Sequence, residues 1–346
     1  MNIQRIHMRA IAPFAFACIL ACFLLPERAA AGDTPPAQDS ALENTPAVPG
    51  TEDVFPAPGN TLPGAADAPR PKALKTLERA RQRGTIIIGY HSANVPLSYQ
   101  NASHQPTGYT KELCDRVVDT IRREFRMPKL EAVYRLVTPQ ERIPMLQDGA
   151  IDLECGSTTV TEERKEFVDF SIAYFISNVR LLTRKAYHIQ DLSDLKNKTI
   201  VFTAGTTAGR AIREKLGVER NNITVLEGKT HPDSFLMIRT GRAAAYAMDD
   251  VLLAGLIASS RDPNTYEIVG PPLSSESYAI MIRKGDLPLK AIIDKALTRI
   301  IASGEIGEIY DRWFMRPIPP SGANMNLPMS DELARFFARQ ASAGRK

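Results

Sequence analysis

One short design occurs twice in this chain and narrows the folds open to it. In the first copy, Ala150-Ile151-Asp152-Leu153, which alternates like a strand end, runs into Glu154-Cys155-Gly156-Ser157-Thr158-Thr159 and then Thr161-Glu162-Glu163-Arg164. In the second, Lys198-Thr199-Ile200-Val201-Phe202-Thr203 runs into Ala204-Gly205-Thr206-Thr207 and a helical stretch from Ala208 to Leu216. A strand that ends in glycine and hydroxyl residues and opens a helix turns free backbone N–H groups, hydroxyls and a positive dipole end toward one small volume. Such a volume attracts anions. Thr159 and Glu162 have the spacing of a capping box. Arg164 falls in or just before the first turn, where its planar fork suits a carboxylate. The plainer alternative is an ordinary helix cap followed by a surface arginine.

The segments around these two copies alternate between strand-like and helix-like patterns. A short amphipathic helix over Ala73–Ala80 is stopped by Gly84 and followed by the apolar strand Thr85–Gly89, whose branched residues suit burial on both faces. A helix is expected from about Thr110 to Glu124, a strand from Leu130 to Val137, a helix start at Thr138–Leu146, and strands over Ser171–Phe175 and Asn178–Thr183. After the second copy come strand Ile223–Leu226, helix Ser234–Thr240, strand Ala243–Met248, and Asp249-Asp250 opening helix Val251–Ser259. Strand Tyr278–Ile282 then leads into helices Pro288–Ile301 and Ile306–Trp313. Two βαβ series in tandem predict two open α/β lobes, with ligand groups gathered outside the carboxyl ends of the strands. A return to helix after the second series predicts that the chain crosses back to the first lobe, through hinge strands near Asn178-Val179-Arg180 and Ser277-Tyr278-Ala279.

The expected organisation is a signal peptide over residues 1–31, a leader over 32–72, the first part of lobe 1 over 73–182, lobe 2 over 183–276, and a return to lobe 1 with C-terminal helices over 277–346. Arg5 and Arg9 precede an apolar run from Ile11 to Leu25, and Ala29-Ala30-Ala31 supplies small residues for cleavage. That run is shorter than the roughly 20 residues of a membrane-spanning helix. Ile19-Leu20-Ala21-Cys22 faintly resembles a lipoprotein box, although the apolar run continues past Cys22. The leader is rich in Pro, Ala, Gly and acidic residues and shows no apolar period, as expected of a tether. With 44% hydrophobic residues, the remainder has enough apolar material for real cores. A net charge of +4 without a dense Lys/Arg stripe argues against a nucleic-acid partner. Loss of Cys18 and Cys22 with the signal leaves Cys114 and Cys155, an even pair in an oxidising compartment. The sequence alone leaves open whether they reach one another.

A free amino acid asks for donors around its carboxylate and for a carboxylate with neutral acceptors around its ammonium, because either charge buried unpaired is costly. Arg164, Thr159 and Thr207 supply the first set, and Asp249 with Ser157 the second. Arg142, His231 and His91 form a further cationic set suited to a second carboxylate, which points to glutamate or aspartate. Each residue has a plainer role. Asp249 and Thr207 fit helix caps, His231 before Pro232 fits a turn, and Arg142 fits a solvated helix face. No metal-ligand spacing, Gly-x-Ser-x-Gly or phosphate-loop motif is present, so neither a cofactor nor a metal is expected.

At these residues the chain resembles the periplasmic glutamate/aspartate-binding proteins of bacterial ABC uptake systems, from about Leu74 to Phe337. The resemblance is carried by Arg142-Ile143-Pro144-Met145-Leu146-Gln147, Asp152 to Thr159, Arg180-Leu181-Leu182-Thr183, Gly205-Thr206-Thr207, Met248 to Gly255 and Pro317-Ile318-Pro319-Pro320. It implies a two-lobed clamshell of the type II periplasmic binding protein fold, a periplasmic location, a monomer, and delivery of the ligand to an ABC permease. It also assigns Arg164, Thr159 and Thr207 to the α-carboxylate, Ser157 and Asp249 to the ammonium, and Arg142 and His231 to the side-chain carboxylate. The chain departs from that pattern at His91, where an Arg is usual, and at Pro139, where a Ser is usual. The uncharged form of His91 would tolerate glutamine or asparagine better than Arg would. The usual partner of Cys155 is replaced by Ile280, with Cys114 as a substitute. An exported dehydratase on the same scaffold, with Glu141 as proton donor, and a sensory protein that reports an amino acid to a membrane receptor are the alternatives.

Overall fold

The computed structural model of the chain describes residues 75–216 and 221–343. The expected signal peptide and leader lie outside these residues. The first helix, α1 (Thr76–Arg83), ends where Gly84 takes φ +71°, and β1 (Thr85–Tyr90) follows at once. Ile86 and Ile88 are fully buried while Ile87 between them is only partly so, so the strand alternates where burial on both faces was expected. Three short strands, β2 (Ala93–Asn94), β3 (Ser98–Gln100) and β4 (Pro106–Thr107), form a small separate sheet that the sequence did not announce. Runs of two or three residues carry no readable period.

The chain then alternates through α2 (Tyr109–Glu124), β5 (Glu131–Leu136), α3 (Arg142–Gln147), β6 (Leu153–Glu154) and α4 (Glu162–Phe167) into β7 (Val168–Arg184). The second series is β8 (Thr199–Thr203), α5 (Ala208–Leu216), β9 (Thr224–Gly228), α6 (His231–Arg239), β10 (Ala245–Asp249), α7 (Asp250–Ala258) and β11 (Tyr266–Arg283). Three helices close the described chain: α8 (Leu287–Ser303), α9 (Glu305–Phe314) and α10 (Asp331–Ala343).

The two series share one mixed sheet in the order β5-β1-β6-β11-β7-β10-β8-β9. The two expected lobes are joined into this one sheet by the expected hinge strands, since β7 and β11, at 17 and 18 residues, are long enough to run antiparallel through both halves. For the same reason Ser171–Phe175 and Asn178–Thr183 are parts of one strand. One end of the β7/β11 ladder lies beside β6, with Val168 opposite Arg283, and the other lies beside β10, with Leu181 opposite Val269. The ladder breaks register between Val269 and Ser274, where Gly270-Pro271-Pro272 interrupts pairing, and Arg180 in β7 donates from Nε and Nη2 to the Gly270 carbonyl at 3.1 and 2.7 Å. Proline has no ladder donor to give, so the break belongs to the sequence.

A large apolar core packs α1, α2, α8, α9 and α10 on the β1 half, includes the aromatic cluster Tyr109, Tyr174, Phe175, Tyr278, Tyr310 and Phe314, and continues into α6, α7 and β10 of the other half. A smaller core of Val179, Leu181, Ile200, Phe202, Ala208 and Ile212 lies under α5. Cys114 of α2 and Cys155, just after β6, form a disulfide with Cα atoms 6.4 Å apart, which answers the question the sequence left open. Both are fully buried, and the bond ties α2 to the loop between β6 and α4. No described helix is long and apolar enough to cross a membrane.

Candidate functional site

The loop from Gly156 to Thr161 is held from two sides before any ligand is considered. Behind it is the disulfide. In front, Val160 N donates to Ser277 O at 2.9 Å and Ala279 N donates to Thr158 O at 3.2 Å, so the loop is strapped to β11. The helix that follows is only one and a half turns long. Its N-cap is Thr161, whose side chain accepts from Arg164 N at 3.1 Å, and not the Thr159–Glu162 box that the spacing suggested. The shift by two residues frees Thr159 from capping.

Arg164 is 5% exposed and Arg142, the first residue of α3, is 4% exposed, so neither is a surface arginine. Arg164 donates from Nη1 to Thr159 O at 2.9 Å and from Nη2 to Gly205 O at 3.2 Å, and Arg142 donates from Nη2 to the same Gly205 O at 3.1 Å. Two guanidinium groups from the first βαβ series therefore converge on one carbonyl from the second. Gly205 permits this approach by its φ of +70°, and a Cβ there would stand 2.9 Å from Gln140 N and from the carbonyl of Pro139. Burial pulls the Arg142 guanidinium down from its usual value, and Glu154 and Asp249 pull in the opposite direction.

Asp249 occupies the N-cap position of α7 but makes no capping hydrogen bond; Asp250 takes that work, accepting from Val251 N at 2.8 Å and Asn178 N at 3.2 Å. The plainer reading of Asp249 thus fails. Asp249 Oδ1 and the Tyr278 hydroxyl are buried without a hydrogen-bond partner of good geometry among the described residues. Burial, reinforced by Glu276 and Asp250, raises the Asp249 carboxyl well above the usual carboxylate range, while Tyr278 and Arg164 pull it back. The Thr207 hydroxyl donates to Glu276 Oε2 at 3.1 Å. Ser157 Oγ accepts from Asn94 Nδ2 at 2.9 Å. Ser157 and Asp249, expected to share an ammonium, share no hydrogen bond among the described residues.

The third expected set lies nearby. His231 is 5% exposed, the first residue of α6, and its Nδ1 lies 3.0 Å from Thr203 Oγ1 and 3.1 Å from the Tyr246 hydroxyl, so it is no surface turn. Burial, with His91 and Arg142 adding to the shift, lowers its pKa to about 3, and the ring is neutral at physiological pH. His91 is 2% exposed and its Nε2 lies 2.9 Å from Glu154 Oε1. Glu154 is fully buried, and its Oε2 accepts from Thr158 Oγ1 at 2.8 Å. Burial alone would push Glu154 up; the His91 hydrogen bond and the charges of its neighbours outweigh it, and the carboxyl ends below its usual range.

A cleft of about 560 Å³ opens between α4 and α5, lined among others by Thr159, Thr161, Glu163, Thr207, Arg210 and Glu276. Arg210 and Glu163 face one another across it at 3.3 Å. Of the expected site residues Thr159 and Thr207 line it, whereas Arg142, Arg164, Asp249, Ser157, His91 and His231 do not. Glu154, Glu276, Asn94 and the Gly205 carbonyl were missed by sequence reasoning. A signal was there for Glu276, an acid in a hydroxyl-rich stretch of β11 at a position that alternates with exposed Ser275 and Ser277; Glu154, in a strand of two residues that are both buried, carried none. Glu141, in contrast, is exposed and accepts from Thr138 Oγ1 at 2.8 Å.

Two α/β halves joined by two long strands, with donors from one half aimed at the other near a buried carboxyl whose Oδ1 has no hydrogen-bond partner among the described residues, define a two-lobed solute-binding clamshell. The sequence signature of the bacterial extracellular solute-binding proteins, family 3, matches residues 86–316, and the chain belongs to that family. The L-glutamate/L-aspartate-binding protein of Pseudomonas aeruginosa is 44% identical over 264 residues, 76% of this chain and 87% of the relative. The glutamate/aspartate import solute-binding protein of Escherichia coli is 38% identical over 272 residues, 79% of this chain and 90% of the relative. Among solved structures, an ancestral arginine-binding protein bound to arginine superposes with a TM-score of 0.60 at 26% identity, covering 67% of this chain and 99% of its own.

Proposed function

We propose that this chain is the periplasmic receptor of an ABC importer: it captures glutamate or aspartate between its lobes, closes on the ligand and presents the closed form to a permease, without converting what it carries. The observation that supports this most is the buried, unpartnered oxygen of Asp249 beside arginines whose donors converge from the opposite lobe. An amino acid supplies a donor for Asp249 Oδ1 and a further acceptor for the arginines. Its ammonium fits Asp249 with the Ser157 hydroxyl, its α-carboxylate fits Arg164 with Thr159 and Thr207, and a second carboxylate fits Arg142 with His231 and His91. The names of the relatives in Pseudomonas aeruginosa and Escherichia coli support the same ligand class. The lobes are proposed to divide near residues 182 and 276, with β7 and β11 as the hinge, so that ligand binding shifts an open–closed equilibrium.

The exposed, hydrogen-bonded Glu141 weighs against the dehydratase alternative, which needed it as a proton donor within the cleft. Calorimetric titration with each standard amino acid tests the reading. Binding confined to a few polar amino acids, abolished for all of them by Arg164→Ala, is expected. A wild-type chain that binds no amino acid, or an Arg164→Ala variant that still binds them with unchanged affinity, overturns it. The ligand should be recovered chemically unchanged after prolonged incubation.

A further inference from the structure

The side-chain end of the cleft contains an internal carboxylate, and its charge changes what that end accepts. Glu154 is completely buried, with one oxygen taken by His91 and the other by the Thr158 hydroxyl. The geometry of the pair is built in. The His91 backbone N–H is fixed by Ser98 Oγ at 3.1 Å, and Gly156 leaves the space the pair needs, since a Cβ there would run into Glu154 Oε1 and the His91 ring. The charged and titratable groups that face His91 are Glu154 from β6, Arg142 from α3 and His231 from α6.

Counting charge at this end is simple because two of the members are fixed. Arg142 carries its positive charge and Glu154 its negative charge, and each is among the other's charged neighbours. His231 contributes none. With His91 neutral the set sums to zero, and an incoming side-chain carboxylate would be buried without a counter-charge. With His91 protonated the set sums to plus one, and the same carboxylate is balanced. A side-chain amide carries no charge and asks for no proton.

We propose that Glu154 and His91 are a specificity-determining pair: because Glu154 offsets Arg142, a ligand with a side-chain carboxylate is held together with a proton on His91, whereas its amide is held without one. The preference for acid over amide therefore depends on pH. This rests on the reading of the cleft as an amino-acid site. By linkage, holding the acid with one more proton than the amide makes the ratio of acid to amide affinity fall by up to about tenfold per pH unit as pH rises. Taking the ratio cancels proton effects at Asp249, which meets the ammonium common to both ligands.

The test is calorimetric titration of glutamate against glutamine, and aspartate against asparagine, between about pH 5.5 and about pH 8.5. The wild-type ratio should fall by at least about tenfold across that range. His91→Arg, with a permanent charge, should favour the acid at every pH with a flat ratio. Glu154→Gln keeps an acceptor for His91 and Thr158 but removes the offsetting charge, and should also favour the acid with a flat ratio. A wild-type ratio that does not move with pH, or one that moves equally in His91→Arg, overturns the proposal while leaving the amino-acid reading intact. Failure of the wild type to bind any of the four ligands removes both.

Discussion

Breaking the Cys114–Cys155 disulfide should destabilise the chain far more than its two small side chains suggest. The bond closes a loop with a sequence separation of 41 residues, and releasing a loop of that size returns about 13 cal/mol/K of entropy to the unfolded chain, about 4 kcal/mol at 25 °C. Both cysteines are fully buried, so the reduced thiols stay in the same packed surroundings and the comparison of oxidised with reduced protein isolates the covalent link. For a body of this size, with a shift of about 2–4 °C per kcal/mol, the thermal midpoint should drop by about 10 °C. The assay is thermal unfolding followed by circular dichroism, with and without a strong reductant, on a chain beginning after residue 31. A thiol titration of the unreduced, unfolded protein should find no free thiol. Because Cys155 sits between Glu154 and Gly156, reduction should also weaken amino-acid binding, in contrast to a disulfide placed far from the cleft. Two free thiols in the unreduced protein, or a midpoint that moves by less than about 2 °C on reduction, would refute the reasoning.

Three further outcomes are expected. His231 is buried neutral with its pKa lowered to about 3, so between the ordinary histidine value and that one the unfolded chain binds a proton that the folded chain refuses; stability is complete above about pH 6.5 and falls as pH drops, by about 2 kcal/mol at pH 5. Denaturant unfolding of the wild type and His231→Asn across that range should show the slope in the first and its loss in the second. Asp249→Asn removes a carboxyl held above its usual range by burial, so the unliganded chain should unfold no earlier than wild type at neutral pH. Its amino-acid affinity should fall about 10- to 150-fold, the weight of one charge-assisted hydrogen bond, as read by calorimetry. Gly205→Ala places a side chain at φ +70°, a backbone strain of about 1–2 kcal/mol, and 2.9 Å from the Pro139–Gln140 backbone, a clash that should oppose closure. Small-angle scattering should then show wild type contracting on ligand addition and the variant contracting less, at higher ligand concentration.

Much of this protein was legible before any coordinates. Alternation of apolar strands with amphipathic helices, written over neighbours a few residues apart, determines the α/β class. The two glycine–hydroxyl strand ends determine where donors collect, and the proposal that Arg164 and Asp249 meet the two poles of a zwitterion follows from residue types alone. Local spacing went wrong where a neighbour two residues away served as well, as with Thr161 in place of Thr159 at the cap of α4. Period reading failed for strands of two or three residues and for the fusion of two strands into β7. The tertiary structure alone decided how charges pair. Glu154 meets His91 and Gly205 O meets Arg142 across 63 residues, Cys155 meets Cys114 across 41, and Asp249 makes no capping bond while Asp250 accepts from Val251 N and from Asn178 N of β7. Such choices turn on which groups are driven out of water together, and burial is a property of the folded whole that no stretch of sequence carries by itself.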